Sequence, residues 1–393
     1  MNFPAAPIRI LWGSPLPPTR SGVADYAAEL LPELTGLARI RVLAPDGWQP
    51  PRDWPPEVAA VPLDEPADAG EIVLLHLGNN PYHVPFFDRL LAEVGPVVVL
   101  HDPVLHHLLV EATVARGDPE AYRIEVAASH GAGGRALAAA RGAGVLGRLD
   151  PFLFPARRSL LGRASAVVVH SDWAASAVAA DLPDVPVGRV ALPVADPGPV
   201  DRIAVRRQLG LDPDEIVVMH LGFLTPEKGL AEVIVGIGAA VSAGIPVRLV
   251  LVGEGSVEGA IRAAIEGGKL EDRVQSTGWV APELFPSIPA AADLGVALRT
   301  PSAGETSASV LRFLACGVPV AVSGVRQYLE WPEAAAPRVT PGPSASAEIA
   351  RLVGAVRSDG WRARRRAARA VYLGNHLPAT AAHQLVDFLA GLT

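Results

Sequence analysis

Residues 299–324 read RTPSAGETSASVLRFLACGVPVAVSG, and this stretch predicts a loop, a helix, a turn and a strand in that order. Small and hydroxylated residues precede an apolar run with helical spacing, which is the pattern of a helix start. Gly317 is expected to end the helix, and residues 319–322 to form a short buried strand. A helix followed at once by a buried strand is the unit from which α/β folds are built.

The start of this predicted helix is a candidate anion site. Backbone N–H groups of Thr306, Ser307, Ala308 and Ser309 are expected to lack helical partners, and the helix dipole favours negative charge beside them. Glu305 precedes them. N–H groups for phosphate oxygens, next to a carboxylate for hydroxyls, suit a sugar joined to a diphosphate. The alternative is an ordinary capped helix, in which Ser and Thr serve only as caps.

Length and composition limit the classes of protein to consider. A chain of 393 residues is too long for one ordinary core and predicts two domains. Half of the residues are apolar, which argues against disorder, and the net charge of −7 argues against nucleic acid as a general partner. The single cysteine, Cys316, excludes a disulfide framework and is expected in the core. No signal peptide or membrane-spanning run is recognisable, so a cytoplasmic location is predicted.

The first half of the chain predicts a mostly parallel sheet. A strand at residues 8–12 leads through a turn at Gly22 into a helix over residues 23–34, which is the start of a nucleotide-type α/β domain. Gly22 would let the backbone approach a ligand. Further near-continuous apolar runs are typical of strands buried on both faces. They cover residues 39–44, 72–77, 97–101 and 166–170.

Polar residues follow three of these strands. His76, His101 with Asp102, and His170 stand at or near their carboxyl ends. Because ligands of open parallel sheets bind outside the carboxyl ends of the strands, His101 and Asp102 are predicted to line an active cleft. The segment HDPVLHH, residues 101–107, contains metal-ligand types but matches no zinc spacing, and no metal site is expected.

A second domain follows a linker. Residues 191–200, ALPVADPGPV, are rich in proline and glycine, and the alternation of strands, glycine loops and helices then restarts. The predicted organisation is an α/β fold of two doubly wound, Rossmann-like domains facing across a cleft. Residues 1–195 form the first domain, residues 196–375 the second, and residues 376–393 a terminal helix that packs back on the first.

Lys228 lies in the glycine-bounded loop GFLTPEKG, residues 222–229, at the start of a predicted helix. The chain has 34 lysines and arginines together, of which only Lys228 and Lys269 are lysines. A compact ammonium in such a loop suits a phosphate group. The alternative is a solvent-exposed loop lysine.

The segment RSDGWRARRRAARA, ending near Arg369, is basic and helical. It could contact anionic lipid headgroups, which would place the protein at the inner face of the membrane. The alternative is a solvated helix face.

The motifs, taken together, resemble those of glycosyltransferase family 4, which are retaining GT-B enzymes that use nucleotide sugars, and in particular a polysaccharide-assembly branch. The resemblance covers nearly the whole chain. Its motifs are PPTRSGVADYAAELLPEL (17–34), GNNPYH (78–83), VVVLHD (97–102), VVVHSDWAA (167–175), GFLTPEKG (222–229), LVGEGS (251–256), STGWV (276–280) and GETSASVLRFLACGVPV (304–320).

The resemblance implies site residues. His101, Lys228 and Glu305 would be catalytic. Gly22, Asp102 and the helix start at residues 306–309 would bind the donor phosphates and sugar. The residues implied to contact the nucleotide are Gly222, Gly253, Gly278, Trp279, Val280 and Arg312. The donor would be a nucleoside diphosphate sugar held by the second domain, and the acceptor a sugar, a lipid-linked glycan or another hydroxyl compound held by the first. Neither a metal nor another cofactor is expected.

The chain departs from the family pattern at three positions. Two family glutamates align with Gly304 and Arg312, so Glu305 is expected to take the first role, displaced by one residue. A family arginine aligns with Phe223, and either Arg299 or Arg326 could replace its charge. The expected reaction is retaining transfer of a hexose-type sugar. The alternatives are another enzyme of this fold, such as an epimerase or a phosphorylase, or a non-catalytic subunit that binds a nucleotide sugar.

Overall fold

The computed structural model describes residues 7–255, 259–281 and 283–392. Ser256, the last residue of the LVGEGS motif, lies outside them. The chain forms two compact units. The first comprises Met1–Pro193, Ala303–Thr306 and Pro378–Thr393, and the second comprises Val194–Ser302 and Ser307–Leu377.

The first unit contains a seven-stranded parallel sheet in the order β3-β2-β1-β4-β5-β6-β7. Apolar side chains fill both faces of its central strands, as predicted from their continuous hydrophobicity. The strands are β1 (Ile8–Gly13), β2 (Ala38–Ala44), β3 (Ala59–Pro62), β4 (Ile72–Leu77), β5 (Val97–Leu100), β6 (Ala166–Val169) and β7 (Val187–Arg189).

The second unit contains a six-stranded parallel sheet in the order β10-β9-β8-β11-β12-β13. Strand β8 is fully buried and lies between β9 and β11, so the loops that follow these three strands emerge side by side. The strands are β8 (Ile216–Leu221), β9 (Val247–Val252), β10 (Val274–Gly278), β11 (Leu294–Ala297), β12 (Val320–Ser323) and β13 (Arg338–Val339).

Helices cover the faces of both sheets. In chain order they are α1 (Gly22–Leu34), α2 (Val84–Ala92), α3 (His106–Ala112), α4 (Pro119–Gly142), α5 (Asp150–Leu153), α6 (Arg158–Leu161), α7 (Asp172–Asp181), α8 (Arg202–Gln208), α9 (Leu230–Ser242), α10 (Gly259–Gly268), α11 (Ala308–Ala315), α12 (Ala345–Ala355), α13 (Asp359–Asn375) and α14 (Pro378–Ala390). No helix in the described ranges is both long enough and apolar enough to cross a membrane.

Local sequence signals explain how two of these helices are shaped. Helix α1 begins where Ser21 Oγ accepts the N–H groups of Val23 and Ala24, at 3.2 and 3.4 Å. The terminal helix α14 packs on α1. Helix α4 is kinked at Gly131, whose φ of 58° lies in the left-handed region that glycine tolerates best.

The basic segment lies on α13. Arg369 forms a two-pronged ion pair with Asp196, at 2.7 and 3.1 Å, and Arg364 donates to the Glu333 carbonyl at 2.6 Å. These arginines therefore serve packing within the second unit. Contact of the segment with lipid headgroups stays a prediction.

Candidate functional site

Lys228 is held at the carboxyl edge of the second sheet. It ends a short 3-10 turn, and Gly229, with a φ of 59°, is the N-cap residue of α9. The N–H of Thr300, just beyond β11, donates to the Glu227 carbonyl at 2.8 Å and ties this turn to the neighbouring strand end. Only 9% of Lys228 is exposed, so the alternative of a solvent-exposed loop lysine is wrong.

The Lys228 ammonium lies beside Gly222 and the first turn of α11. A Cβ built on Gly222 would lie 3.1 Å from Lys228 Nζ and 3.6 Å from Ser309 Oγ. Ser309 Oγ donates to the Leu221 carbonyl at 3.1 Å, which fixes the start of α11 against the end of β8. The sheet thus brings together Gly222, Lys228 and Ser309, three residues that the sequence assigned to the candidate site.

Helix α11 starts later than the sequence predicts. Ser307 has an extended backbone, and its Oγ accepts the N–H of Val310 at 3.4 Å, so the helix begins at Ala308. The N–H groups without helical partners therefore run from Ser307 to Val310, one residue later than the predicted Thr306 to Ser309, because Ser307 is the cap. Ala308 and Ser309 retain their first-turn positions.

His220 lies close to Lys228 at the end of β8. Its Nδ1 lies 3.2 Å from the Val296 carbonyl, which can only accept, so Nδ1 carries the proton and Nε2 carries the lone pair. Burial first, and then the Lys228 ammonium and Arg299, lower the pKa of His220 to about 3. The imidazole beside Lys228 is therefore neutral at pH 7, and it does not add to the charge of the ammonium.

Glycines join three loops backbone to backbone at this edge. Gly253 N–H donates to the Gly278 carbonyl at 3.0 Å, and Gly222 N–H donates to the Val252 carbonyl at 2.9 Å. Gly222, Gly253 and Gly278 have φ values of 105°, 137° and 65°. A Cβ on Gly253 would lie 2.4 Å from the Gly222 carbonyl oxygen, a distance that no real side chain adopts.

Gly253→Ala is expected to cost at least about 3 kcal/mol of unfolding free energy, because the new methyl meets backbone and the residue has a left-handed φ. Gly278→Ala is the matched control. It has positive φ but open space around the Cβ position, so about 1 kcal/mol is expected. Urea denaturation of both variants measures the difference, and equal losses would contradict the close approach of the two loops.

The remaining predicted nucleotide contacts differ in exposure. Trp279 is 45% exposed and Val280 is half-buried just after β10. Arg312 is 7% exposed, and its guanidinium lies 5.0 Å from the centre of the Phe285 ring. Cys316 caps the other end of α11 and is half-buried, and burial raises the pKa of its thiol to about 12.

In the first unit, three neighbouring strands bring three histidines into one chain of contacts. His76 is the second-to-last residue of β4, His101 follows β5 and His170 follows β6. His76 Nδ1 lies 3.0 Å from His101 Nε2, and His101 Nδ1 lies 3.3 Å from His170 Nε2. The Tyr26 ring of α1 packs against all three, with its centre 4.8 Å from that of His101.

Burial governs the charge of this histidine chain. It lowers the pKa of both His76 and His101 well below the usual value, and the neighbouring histidines lower it further. His83 lies next to them, with its Nδ1 2.9 Å from the His76 carbonyl, and burial lowers its pKa to about 4. His76, His83 and His101 are therefore neutral at pH 7.

Asp102 and Gly22 have local roles on the same side of this unit. Asp102 Oδ2 accepts the N–H of Asn79 at 2.8 Å, and Asn79 Oδ1 accepts the N–H of His107 at 2.8 Å. These bonds hold the turn after β4 against α3. Gly22 is the first residue of α1, and the space next to its Cα is open.

Glu305 and Thr306 belong to the segment Ala303–Thr306 that groups with the first unit, whereas Ser307 and Lys228 belong to the second. The structure therefore divides the predicted donor-binding residues between the two units. A role for Glu305 stays a prediction.

Sequence reasoning noted His76 and His170 but gave them no role, and it overlooked His220 and Tyr26. The signal was present, since four strands each have a histidine within one residue of their carboxyl end. The partners of these rings depend on strand order, which the sequence does not state. In the described part of the chain, no group of three or more His, Cys, Asp or Glu residues is placed to hold a metal ion.

Comparison with known proteins identifies part of the chain. Residues 215–354, which include β8 to β13 and the Lys228 turn, match the family model described as Glycosyl transferases group 1. The family model does not extend over the histidine chain of the first unit.

Curated relatives of the chain carry glycosyltransferase names. The 2-deoxystreptamine glucosyltransferase of Streptomyces kanamyceticus is 27% identical over 218 residues, which are 53% of this chain and 55% of the relative. The D-inositol 3-phosphate glycosyltransferase of Segniliparus rotundus is 36% identical over 134 residues, which are 32% of this chain and 29% of the relative. The matches thus span about half or less of each relative's length.

Solved structures match almost the whole chain. Anabaena Alr3699/HepE, crystallised in complex with UDP and glucose, has a TM-score of 0.62 at 16% identity and covers 98% of this chain and 100% of its own. The sucrose-phosphate synthase of Thermosynechococcus elongatus has a TM-score of 0.65, also at 16% identity, and covers 98% and 99%. Together with the two parallel sheets, these likenesses confirm the predicted GT-B fold of two α/β domains.

Proposed function

We propose that this protein is a retaining glycosyltransferase that moves a hexose-type sugar from a nucleoside diphosphate sugar to a hydroxyl acceptor. The observation that carries the proposal is the arrangement of Lys228, Gly222 and Ser309 at the carboxyl edge of the second sheet. A buried ammonium beside a glycine and a helix start suits the oxygens of a diphosphate. The match to the family model described as Glycosyl transferases group 1 covers all three residues, which supports the proposal.

The proposed chemistry requires stabilisation of a leaving group. The bond between the anomeric carbon and the diphosphate oxygen breaks, and its electron pair stays on the diphosphate. The acceptor oxygen bonds to the anomeric carbon from the same face, and its proton passes to a diphosphate oxygen. Lys228 and the N–H groups of Ala308 and Ser309 would stabilise the developing negative charge through preorganised electrostatics.

The other parts of the candidate site have proposed roles in the same reaction. The backbone around Gly253 and Gly278 would hold the nucleotide, and Trp279 offers an exposed aromatic face near them. The first unit, with His101 and Asp102 at its sheet edge, would hold the acceptor, a sugar or lipid-linked glycan. Alr3699/HepE was crystallised with UDP, UDP-glucose and glucose. This supports a uridine nucleotide as the first donor to try.

Nucleotide-dependent thermal unfolding tests the donor site. UDP, GDP, ADP and dTDP are each added to the native protein, to Lys228→Ala and to Lys269→Ala. A nucleotide at a hundredfold excess over its Kd is expected to add about 2.7 kcal/mol of stability. Lys269 is the matched control, because it is the only other lysine and is exposed. The stabilisation should disappear in Lys228→Ala and persist in Lys269→Ala.

The outcomes separate the proposal from its rivals. Stabilisation of the native protein by one nucleotide, lost only in Lys228→Ala, would support the donor site and name the base. No stabilisation by any nucleotide would overturn the proposed site. Nucleotide binding without sugar transfer to any acceptor would favour a binding subunit, and conversion of the donor sugar without an acceptor would favour an epimerase.

A further inference from the structure

The three histidines of the first unit form a chain of ring contacts, and their proton positions follow from one carbonyl group once the His170 ring is taken as neutral. His170 Nδ1 lies 2.9 Å from the Val190 carbonyl oxygen. A carbonyl oxygen only accepts, so His170 Nδ1 must carry a proton. With the His170 ring taken as neutral, its Nε2 carries the lone pair. Val190 is itself held in place, since its N–H donates to the Val169 carbonyl at 2.9 Å.

The protonation of each further ring follows from that of its neighbour. Because His170 Nε2 accepts, His101 Nδ1, 3.3 Å away, must donate. The neutral His101 ring then has its lone pair on Nε2, and His76 Nδ1, 3.0 Å away, must donate to it. On this assignment, all three rings are Nδ1-protonated. The one lone pair left over is on His76 Nε2, which is buried and has no hydrogen-bond partner among the described residues.

The surroundings favour this neutral order. His76 is fully buried, and the burial that lowers the pKa of His76 and His101 opposes an added proton. His83 faces the chain as another neutral ring, with its Nδ1 on the His76 carbonyl. Tyr26, on α1, packs against the three histidine rings. Its buried hydroxyl also has no hydrogen-bond partner among the described residues. Burial raises the pKa of this hydroxyl, so it too is uncharged.

We propose that His76 and His170 are positioning residues that hold His101 as a neutral, Nδ1-protonated ring in one orientation at the edge of the first sheet. Both ring nitrogens of His101 are then engaged by protein groups, and its ring is fixed on two sides. The proposal rests on the proposed function only in that His101 is taken to face the substrate. It deepens that function, because it explains how a ring at the carboxyl edge keeps one tautomer and one orientation.

Nitrogen-15 NMR of histidine-labelled full-length protein at neutral pH tests the proton order without ligand or turnover. The expected result is the Nδ1–H tautomer for His76, His101 and His170. Their signals are assigned with single variants. An Nε2–H tautomer at His101, or a charged ring at His101 or His170, would overturn the proposal.

His170→Gln and His170→Leu form a matched pair for the positioning role. Both remove the N–H that bonds Val190, but only Gln keeps an acceptor, Oε1, within reach of His101 Nδ1. The Nδ1–H tautomer of His101 is therefore expected to persist in His170→Gln and to be lost in His170→Leu. Equal spectra for the two variants would show that His170 acts only through packing, and would overturn the proposal.

Sugar-transfer kinetics then test the positioning role in turnover. His170→Leu is expected to lower kcat/KM at least tenfold relative to His170→Gln, whereas the two variants should differ little in nucleotide binding. Equal kcat/KM values for the two variants would overturn the positioning role of His170 in turnover. A native protein with the expected tautomers but no sugar transfer would contradict the proposed function and leave the proton order established.

Discussion

Lys228→Ala is expected to lower kcat for sugar transfer by about a hundredfold to a thousandfold, the range measured when one preorganised donor to a developing anion is removed. The reason is the position of the ammonium, which is nearly buried beside Gly222 and the first turn of α11. Little water reaches this position, so solvent cannot stabilise the negative charge of the leaving group in place of the ammonium. The N–H groups of α11 would remain, so residual turnover is expected rather than none.

Steady-state kinetics of Lys228→Ala, Lys228→Arg and Lys269→Ala check this prediction. Arginine retains the positive charge but not the compact geometry of an ammonium, so partial activity is expected. Lys269→Ala should behave as the native protein. A normal kcat in Lys228→Ala would refute the proposed role in stabilising the leaving group. A loss of folding is detected separately by urea denaturation.

Acidification is expected to destabilise both units strongly, because each buries a neutral histidine. His83 in the first unit has its pKa lowered to about 4, and His220 in the second has its pKa lowered to about 3. In the unfolded chain both titrate near 6.5. Between these values the unfolded state binds protons that the folded state does not. The free energy of unfolding therefore falls as the pH falls below 6.5. Above that value the stabilising contribution of these two histidines is complete.

The expected losses are large compared with the usual stability of a domain. At 1.36 kcal/mol per pH unit, the window from 6.5 to 4 corresponds to about 3 kcal/mol for His83, and that from 6.5 to 3 to about 5 kcal/mol for His220. His76 and His101 add to the loss in the first unit, since burial lowers their pKa as well.

Native-state hydrogen exchange measures the two units separately. Amides of β4 and β5 report on the first unit, and amides of β8 report on the second. His83→Gln should reduce the pH dependence of exchange in β4 and β5 but not in β8, and His220→Gln should do the reverse. Each variant thus serves as the control for the other. A pH dependence unchanged in both variants would contradict the assignment of neutral buried histidines.

The fold was largely predictable because its signals are local. Continuous apolar strands, such as residues 216–221 and 247–252, and glycine at their carboxyl ends, are typical of parallel α/β domains. In the structure these two runs are the buried strands β8 and β9. The free N–H groups at the start of α11 were predicted one residue too early, because several hydroxylated residues in a row can each serve as a cap.

The sequence by itself determined the class of fold, the number of domains and the edge of each sheet that carries polar residues. Periodicity and glycine placement encode these features within short windows. Only the tertiary structure decided which side chains meet there. Lys228 and Ser309 are 81 positions apart, and His76 and His170 are 94 apart. Their contacts depend on strand order and on which helix start each loop reaches, and such long-range pairing follows from the packing of the whole sheet rather than from any local pattern.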